Sequence, residues 1–262
     1  MADPNLEDEL AGTEQPFVAH LVELRDRLIK AMIAVAVMAG VLFLYPGPAA
    51  LYDILAAPLV SHLPKGATLI ATSVISPFLV PLKILLMAAF LLALPVVLYQ
   101  AWAFIAPGLY SHEKKLVLPL VVSSTLLFFI GVAFCYFFVF GQVFKFIQSF
   151  APKSITAAPD IEAYLSFVLT MFLAFGMAFE VPIVVVVLAR MGFVTIQKLK
   201  EFRAYFIVVA FIVAAIITPP DVVSQLALAI PMCLLYEAGI WAAQLFIKHT
   251  KAPEEGAAAS GS

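Results

Sequence analysis

Residues 78–106 read FLVPLKILLMAAFLLALPVVLYQAWAFIA, and this stretch decides the class of fold. Lys83 is its only charged residue, so the stretch carries too much apolar surface for the outside of a soluble domain. At ~1.5 Å per residue, a helix of this length exceeds the ~30 Å hydrocarbon core of a bilayer. We therefore expect a transmembrane helix that is tilted or protrudes at one end.

The composition of the whole chain indicates the same class. Of its 262 residues, 64% are hydrophobic and 12% are charged, whereas soluble domains have about 25% charged residues. The sequence therefore predicts an all-α membrane protein. Neither the net charge of −2 nor any basic segment favours binding to nucleic acid.

Apolar runs separated by polar turns predict six transmembrane helices in a single membrane domain, residues 16–247. The spans are expected at about 28–45, 78–106, 116–144, 163–189, 204–218 and 222–247. The fifth span has only about 15 residues, or ~22 Å of helix, and polar residues shorten the apolar part of the sixth. Two short neighbouring helices favour local thinning of the bilayer or shielding by a partner.

The segments outside and between these spans differ in character. Residues 1–15 are acidic and residues 248–262 are rich in Ala, Gly, Ser and Glu, so both are predicted to be disordered. The loops after the first and third spans contain apolar residues and prolines, and we expect them to form a structured cap on one membrane face. Ser76 is expected to cap the helix of the second span.

Basic residues fall mainly on one side of the predicted membrane. Eleven of them lie in the N-terminal segment, the second-to-third and fourth-to-fifth connections and the C-terminus, whereas four lie in the opposite loops and their flanks. The positive-inside rule therefore predicts that both termini are cytoplasmic.

The segment PFVAHLVELRDRLIK, residues 16–30, precedes the first span. In a helix, four apolar residues share one stripe: Phe17, Leu21, Leu24 and Leu28. The pairs Glu23/Arg27 and Asp26/Lys30 have the i,i+4 spacing of helical ion pairs. Two interpretations remain open at this point, a juxtamembrane anchor that fixes topology or a binding surface.

Three further carboxylates are of interest because they lie within a predicted span or at the start of one. Glu180 lies deep within the fourth span beside Pro182, where a charge costs about 3 kcal/mol, so it should face protein or water or be protonated. It fits either a neutral side chain bonded to another helix or a polar patch in a groove. Asp221 follows two prolines and is expected to cap the sixth helix.

Glu113 is the third, and it opens the third span, where a carboxylate complements the helix dipole. It also lies on the same cytoplasmic face as Glu23. Two carboxylates beside an apolar stripe and Phe104 would suit a cationic peptide, because arginine binds carboxylates in a bidentate manner.

Signatures of catalysis are absent from the sequence, which contains no HExxH motif and no P-loop. Cys135 and Cys233 lie in apolar runs without a CxxC motif and are predicted to be free thiols. We therefore expect no enzymatic activity, no metal and no cofactor. A polytopic solute or ion transporter or channel that uses Glu180 remains an alternative.

Seven short motifs together resemble the TatC family, the multispanning receptor subunit of the twin-arginine protein translocase. They are HLVELRDRL at 20–28, APL at 57–59, YQAWAFIAPGLY at 99–110, HEKK at 112–115, YLSF at 164–167, FEVP at 179–182 and TPPD at 218–221. They occur in the order found in the family, and the resemblance covers residues 16–247.

The resemblance implies a receptor in the bacterial inner membrane that binds twin-arginine signal peptides on its cytoplasmic face. The peptide contacts carried over by position are Glu23, Arg25, Arg27, Phe104 and Glu113. Lys114 and Lys115 stand where some relatives have arginine, so charge carries over there but bidentate bonding does not.

The resemblance also implies a concave membrane groove that contains Glu180, and structural turns at Pro58 and Asp221. Thr218 and Gln225 would face single-span partners of the TatA and TatB type. In the family, an oligomeric complex of these proteins exports folded precursor proteins across the bilayer by using the proton-motive force.

Overall fold

The computed structural model describes residues 4–53, 70–105, 117–150, 160–218 and 221–248. Its helices, labelled in chain order, are α1 Pro4–Leu44, α2 Ser76–Ile105, α3 Val117–Phe134, α4 Phe140–Phe150, α5 Ile161–Phe179, α6 Val181–Arg190, α7 Ile196–Glu201, α8 Arg203–Ile217 and α9 Val222–Lys248. Residues 48–53 are also helical. Within these ranges the β-structure is limited to one parallel bridge between Ile70 and Asp160.

The apolar helices confirm the prediction of an all-α membrane protein. In the described part of the chain, five segments are long and apolar enough to span a bilayer: Val18–Leu44, Ser76–Ile105, Val117–Phe146, Ile161–Arg190 and Val222–Leu245. The apolar helix α8 has 15 residues, as expected for a short fifth span. The prediction that the sixth span is short was wrong. Helix α9 contains polar residues, but it is a continuous helix of 27 residues.

Helix α1 begins at Pro4, so the backbone of residues 4–15 is helical. The segment contains Leu, Glu and Ala, which are strong helix formers, and acidic residues complement the positive end of a helix dipole. A net negative composition therefore did not prevent helix formation.

Two of the spans contain an irregular turn. The third continues from α3 into α4 through a π-helical turn, Cys135–Val139. The fourth is divided into α5 and α6 at Glu180. The second break lies where Pro182 predicts a kink, whereas the π-helical turn is invisible to hydropathy, because an apolar run has the same composition whether or not its helix is regular.

The chain divides into two units, the first comprising residues 1–126 and 151–169 and the second residues 127–150 and 170–262. In the first, α1 packs along α2. Trp102, at the end of α2, is buried and donates its indole N–H to the hydroxyl of Ser124 at 2.9 Å.

In the second unit, α9 packs against α6 and α8. Tyr236 of α9 stacks on Phe206 of α8 with ring centroids 4.0 Å apart, and its hydroxyl donates to the backbone oxygen of Leu199 at 2.9 Å. Arg203 and Glu237 form an ion pair, in which Nη2 of Arg203 donates to Oε2 of Glu237 at 2.7 Å and Nε lies 2.6 Å from Oε1. These contacts hold the short helix α8 against α9.

Candidate functional site

Glu23 and Arg27 form an ion pair one helical turn apart on α1, as their spacing predicts. Nε and Nη2 of Arg27 both donate to Oε1 of Glu23, at 2.9 and 2.7 Å. The Arg27 side chain is 24% exposed and that of Glu23 is 35% exposed. Pairs of this kind contribute only ~0.3–0.5 kcal/mol when they are exposed, so the main effect is to fix the position of the carboxylate.

The apolar stripe next to this pair points away from the protein. Leu21, Leu24 and Leu28 are 47%, 42% and 58% exposed, whereas Glu23 and Arg27 are half-buried. A bilayer solvates apolar side chains, so the outer face of a membrane helix is apolar and its protein-facing side carries the polar residues. The stripe is therefore available to lipid or to a ligand.

His20 lies one turn before Glu23 on α1 and stacks on Phe104. The ring centroids are 4.4 Å apart and the ring planes are inclined by 20°. Phe104 precedes the last residue of α2, so this contact joins the N-terminal half of α1 to the C-terminal end of α2, and the two helices run antiparallel. The contact places an aromatic ring of α2 beside the face that carries Glu23. Glu113 lies outside the described residues.

Arg25 forms an ion pair with its neighbour Asp26 and not with Glu23. Its Nε and Nη2 donate to Oδ1 of Asp26 at 3.0 and 2.8 Å, with both side chains at least half exposed. The predicted pair of Asp26 with Lys30 was wrong, because the adjacent guanidinium offers two donors within reach. Two internal ion pairs therefore neutralise four of the charges on this part of α1.

Glu180 occupies the break between α5 and α6 and is 8% exposed. Pro182 lies in the first turn of α6, where its missing N–H would have no helical partner in any case. The same proline cannot bond to the end of α5, so the sequence Glu-Val-Pro ends one helix and starts the next.

A cavity of about 410 Å³ opens beside this break in the second unit. Nine of the ten residues that line it are apolar, and they come from α5, α6, α8 and α9: Thr170, Leu173, Ala174, Met177, Ala178, Val181, Val213, Ile217, Leu228 and Met232. Glu180 does not itself line the cavity, but Ala178 and Val181 on either side of it do. The cavity is thus suited to an apolar ligand, with a carboxyl group close in sequence to its wall.

Thr218 and Gln225 lie at the same end of the α8–α9 pair. The Thr218 hydroxyl is buried and donates to the backbone oxygen four residues earlier in α8, at 2.8 Å. The Gln225 amide Nε2 donates to the backbone oxygen of Phe211 at 3.3 Å, which joins α9 to α8.

Asp221 accepts the N–H of Ser224 at 2.7 Å, which is the geometry of an N-cap for α9. The other predicted turn residue, Pro58, lies outside the described residues.

A second polar cluster lies at the opposite end of α2 from Phe104. Lys83 Nζ lies 2.7 Å from Oε1 of Glu162, and the Ser76 hydroxyl donates to Oε2 of Glu162, also at 2.7 Å. Ser76 therefore binds the first turn of α5 and does not cap its own helix. The cluster ties the start of α2 to the start of α5.

Asp160 stabilises the same junction. Its Oδ1 accepts the N–H groups of Glu162 and Ala163 at 2.9 Å, and its Oδ2 accepts the backbone N–H of Thr72 at 3.0 Å and the Thr72 hydroxyl. The Thr72 hydroxyl, followed by these backbone N–H groups, lowers the pKa of Asp160 from its ordinary 3.8 to about 2. The predicted cap loops, about 46–76 and 145–162, lie partly outside the described residues, at 54–69 and 151–159, and this junction joins the segments that border those two ranges.

No group of three or more His, Cys, Asp or Glu residues in the described ranges is arranged to hold a metal ion. Cys135 and Cys233 are free, the first buried and the second half-buried.

The sequence did not lead us to expect His20 as a neighbour of the site, although it lies three residues from Glu23 and therefore on the same helical face. The Lys83–Glu162 pair was not expected either, since its members are 79 residues apart with no local signal.

A family model and individual relatives of this chain carry the same description. The family model described as Sec-independent protein translocase protein (TatC) matches residues 19–231. The protein of that name from Halothiobacillus neapolitanus is 50% identical, over 98% of this chain and 71% of the relative. The one from Escherichia coli K12 is 47% identical, over 92% of this chain and 93% of the relative.

Solved structures also match. A crystal structure of the twin-arginine translocase receptor TatC is 43% identical with a TM-score of 0.74, covering 86% of this chain and 98% of its own. A second, described as TatC in DDM, has the same identity and a TM-score of 0.75, covering 86% of this chain and 99% of its own.

Proposed function

The chain belongs to the TatC family of Sec-independent protein translocase proteins, and from this we propose that it is a receptor for twin-arginine signal peptides. As a member of that family it is a multi-pass membrane component of the twin-arginine translocase. We further propose six spans in the bacterial inner membrane with both termini cytoplasmic. Five long apolar helices and the short α8 can supply six crossings, and the distribution of basic residues supports this orientation.

The observation that carries the proposal is that Glu23 already binds a guanidinium group. Two nitrogen atoms of Arg27 contact its Oε1, and the carboxylate is held half-buried on α1. A signal-peptide arginine has the same chemistry as this internal partner. Guanidinium–carboxylate bonds are shorter and stronger than neutral hydrogen bonds, which supports arginine as the group that is recognised.

Four further residues complete the proposed contact set: Arg25, Arg27, Phe104 and Glu113. Phe104 is held against α1 through its stack on His20, which supports a role for its ring beside the bound peptide. Glu113 would take the second arginine, as the resemblance to the family implies. An aromatic face next to a carboxylate favours a guanidinium group, because arginine stacks on rings as well as forming bidentate bonds.

The apolar part of the signal peptide would enter the membrane groove near Glu180. The 410 Å³ cavity supports this, because its wall is apolar and Glu180 lies between two residues of that wall. A role in transport driven by the proton-motive force is part of the same proposal for Glu180. The transporter alternative has less support, since nine of the ten residues described as lining the cavity are apolar.

We propose that α8 and α9 bind single-span partners of the TatA and TatB type, within an oligomeric complex that exports folded precursor proteins. Ile212 and Ile216 of α8 are 53% and 79% exposed, and the 15-residue helix would leave part of the bilayer unmatched. Gln225 is half-buried beside this face, where it could donate to or accept from a partner helix through the rest of its amide.

Site-specific photocrosslinking tests the peptide-binding surface. A crosslinker at Val22, which flanks Glu23 and is exposed, should capture a twin-arginine precursor, and capture should fall at least several-fold when both arginines are changed to lysine. A crosslinker at Val41, which is also exposed but lies near the other end of α1, provides the background.

Substitution of the carboxylate completes this experiment. E23Q keeps the shape of the side chain and should abolish the preference for paired arginine. D53N, which neutralises an exposed aspartate beyond the far end of α1, should leave it intact. Equal capture of arginine and lysine precursors at Val22 would contradict the receptor proposal.

A further inference from the structure

The Glu23–Arg27 pair raises a question that the receptor proposal leaves open. Arg27 belongs to the expected contact set, yet a cationic side chain is a poor direct ligand for a peptide that brings two further guanidinium groups. Like charges at close range repel, and Arg27 is already bound to the carboxylate that a peptide arginine would use.

We propose that Arg27 is an internal surrogate for a signal-peptide arginine, which occupies Glu23 in the empty receptor and is displaced when the peptide binds. This inference rests on the proposed receptor function and concerns the regulation of the same site. Arg27 thereby lowers the affinity for the peptide and promotes its release. It acts on the peptide through Glu23 and is a positioning residue.

The geometry permits a stepwise exchange. Both nitrogen atoms of Arg27 bind Oε1, and Oε2 of Glu23 has no hydrogen-bond partner among the described residues. A carboxylate offers about four acceptor positions, so an incoming guanidinium can bind Oε2 before Arg27 leaves Oε1. The half-buried carboxylate therefore need not pass through an unpaired state, which would be costly.

The surroundings fit this role. The N-terminal half of α1 is held against α2 by the stack of His20 on Phe104, so Glu23 keeps its place whether Arg27 or a peptide arginine is bound. Arg25 is bound to Asp26 and does not compete for Glu23. Among the described residues of this segment, Arg27 is the guanidinium whose release would open the site.

The test measures the affinity of fluorescent synthetic twin-arginine signal peptides for the full-length receptor in lipid nanodiscs. R27Q should bind the peptide about two- to fivefold more tightly, the range expected for removing a competing ion pair of this exposure. R27K keeps the positive charge but offers a single compact ammonium group, so it should give a smaller gain. R27K also serves if R27Q fails to fold.

Two controls separate competition for Glu23 from simple charge repulsion. K30Q removes an exposed positive charge from the same segment and should change the affinity by much less than R27Q. In an E23Q background, R27Q should have no further effect, because there is no carboxylate left to compete for.

Tighter binding by R27Q that disappears in the E23Q background supports the surrogate role. Weaker or unchanged binding by R27Q, a gain equal to that of K30Q, or a gain that persists with E23Q would overturn it. If the wild type does not prefer paired arginine to paired lysine and E23Q leaves the affinity unchanged, the receptor proposal itself fails.

Discussion

Gly131 of α3 packs so closely against α5 that a single methyl group there should loosen the helix pair. A Cβ atom at this position would lie 2.5 Å from the backbone oxygen of Phe175 and 2.9 Å from two ring carbons of Phe179. Since non-bonded contacts are optimal at about 3.5–4.0 Å, the two helices would have to separate by about 1 Å. A backbone oxygen cannot rotate out of the way, as the end of a flexible side chain can.

The size of the effect follows from comparison with Gly141 of α4, where a Cβ atom would have no neighbour within 4 Å. Alanine gains about 1 kcal/mol over glycine within a helix at either site, so this gain cancels between the two variants. What remains is the cost of overpacking, about 1–3 kcal/mol, in G131A alone. At about 2–4 °C per kcal/mol, G131A should unfold roughly 2–12 °C below G141A.

The assay is thermal unfolding of the wild type, G131A and G141A in one detergent, followed by circular dichroism. G141A should unfold about 2–4 °C above the wild type, because it keeps the gain of about 1 kcal/mol, and G131A should unfold at or below the wild-type midpoint. A midpoint for G131A equal to or above that of G141A would refute the argument that small residues allow these helices to approach closely.

Three further predictions concern polar contacts. R203Q or E237Q should each lower the free energy of unfolding, and a double-mutant cycle should give a coupling of about 0.5–1 kcal/mol that decreases with salt; additive effects would contradict the pairing. The lowered pKa of Asp160 means that its carboxylate favours the folded state above its ordinary value of 3.8 and loses this effect as the pH falls toward 2. The midpoint of D160N should therefore fall less steeply over this range than that of the wild type, and parallel curves would contradict it. W102F should cost about 1–3 kcal/mol because it leaves the buried hydroxyl of Ser124 without its donor, and adding S124A should restore part of the loss.

Much of the architecture could be predicted because hydropathy responds to length and composition, which membrane spans constrain strongly. The second span was expected at 78–106 and α2 is Ser76–Ile105, while the fifth was expected at 204–218 and α8 is Arg203–Ile217. The breaks within spans were not predicted with the same precision. The π-helical turn at Cys135–Val139 changes the path of the backbone without changing how apolar the segment is.

The local part of the candidate site was predictable, and its tertiary part was not. Spacing within one helix indicated the pair of Glu23 with Arg27, because helix geometry is known in advance. The contact of His20 with Phe104 depends on how α1 packs along α2, which hydropathy does not encode. The same holds for Thr72 and Asp160, which are 88 residues apart in the sequence.

In this chain the buried polar side chains say more about structure and function than the buried apolar ones, which is the reverse of a soluble protein. In a bilayer the apolar stripe of α1 faces outward, so the polar residues that face inward are the informative ones. Among the described residues these include Ser76, Ser124 and Thr218, each of which joins two helices or closes a helix end through a hydrogen bond. A hydroxyl group is sufficient for such a role and costs little to bury.

Glu180 is different, because burying a carboxyl group costs much more than burying a hydroxyl group. The helix break does not require this residue, since Pro182 alone can produce the break. The helix break therefore does not by itself account for a carboxyl group at this position, and the role in transport proposed above would account for it.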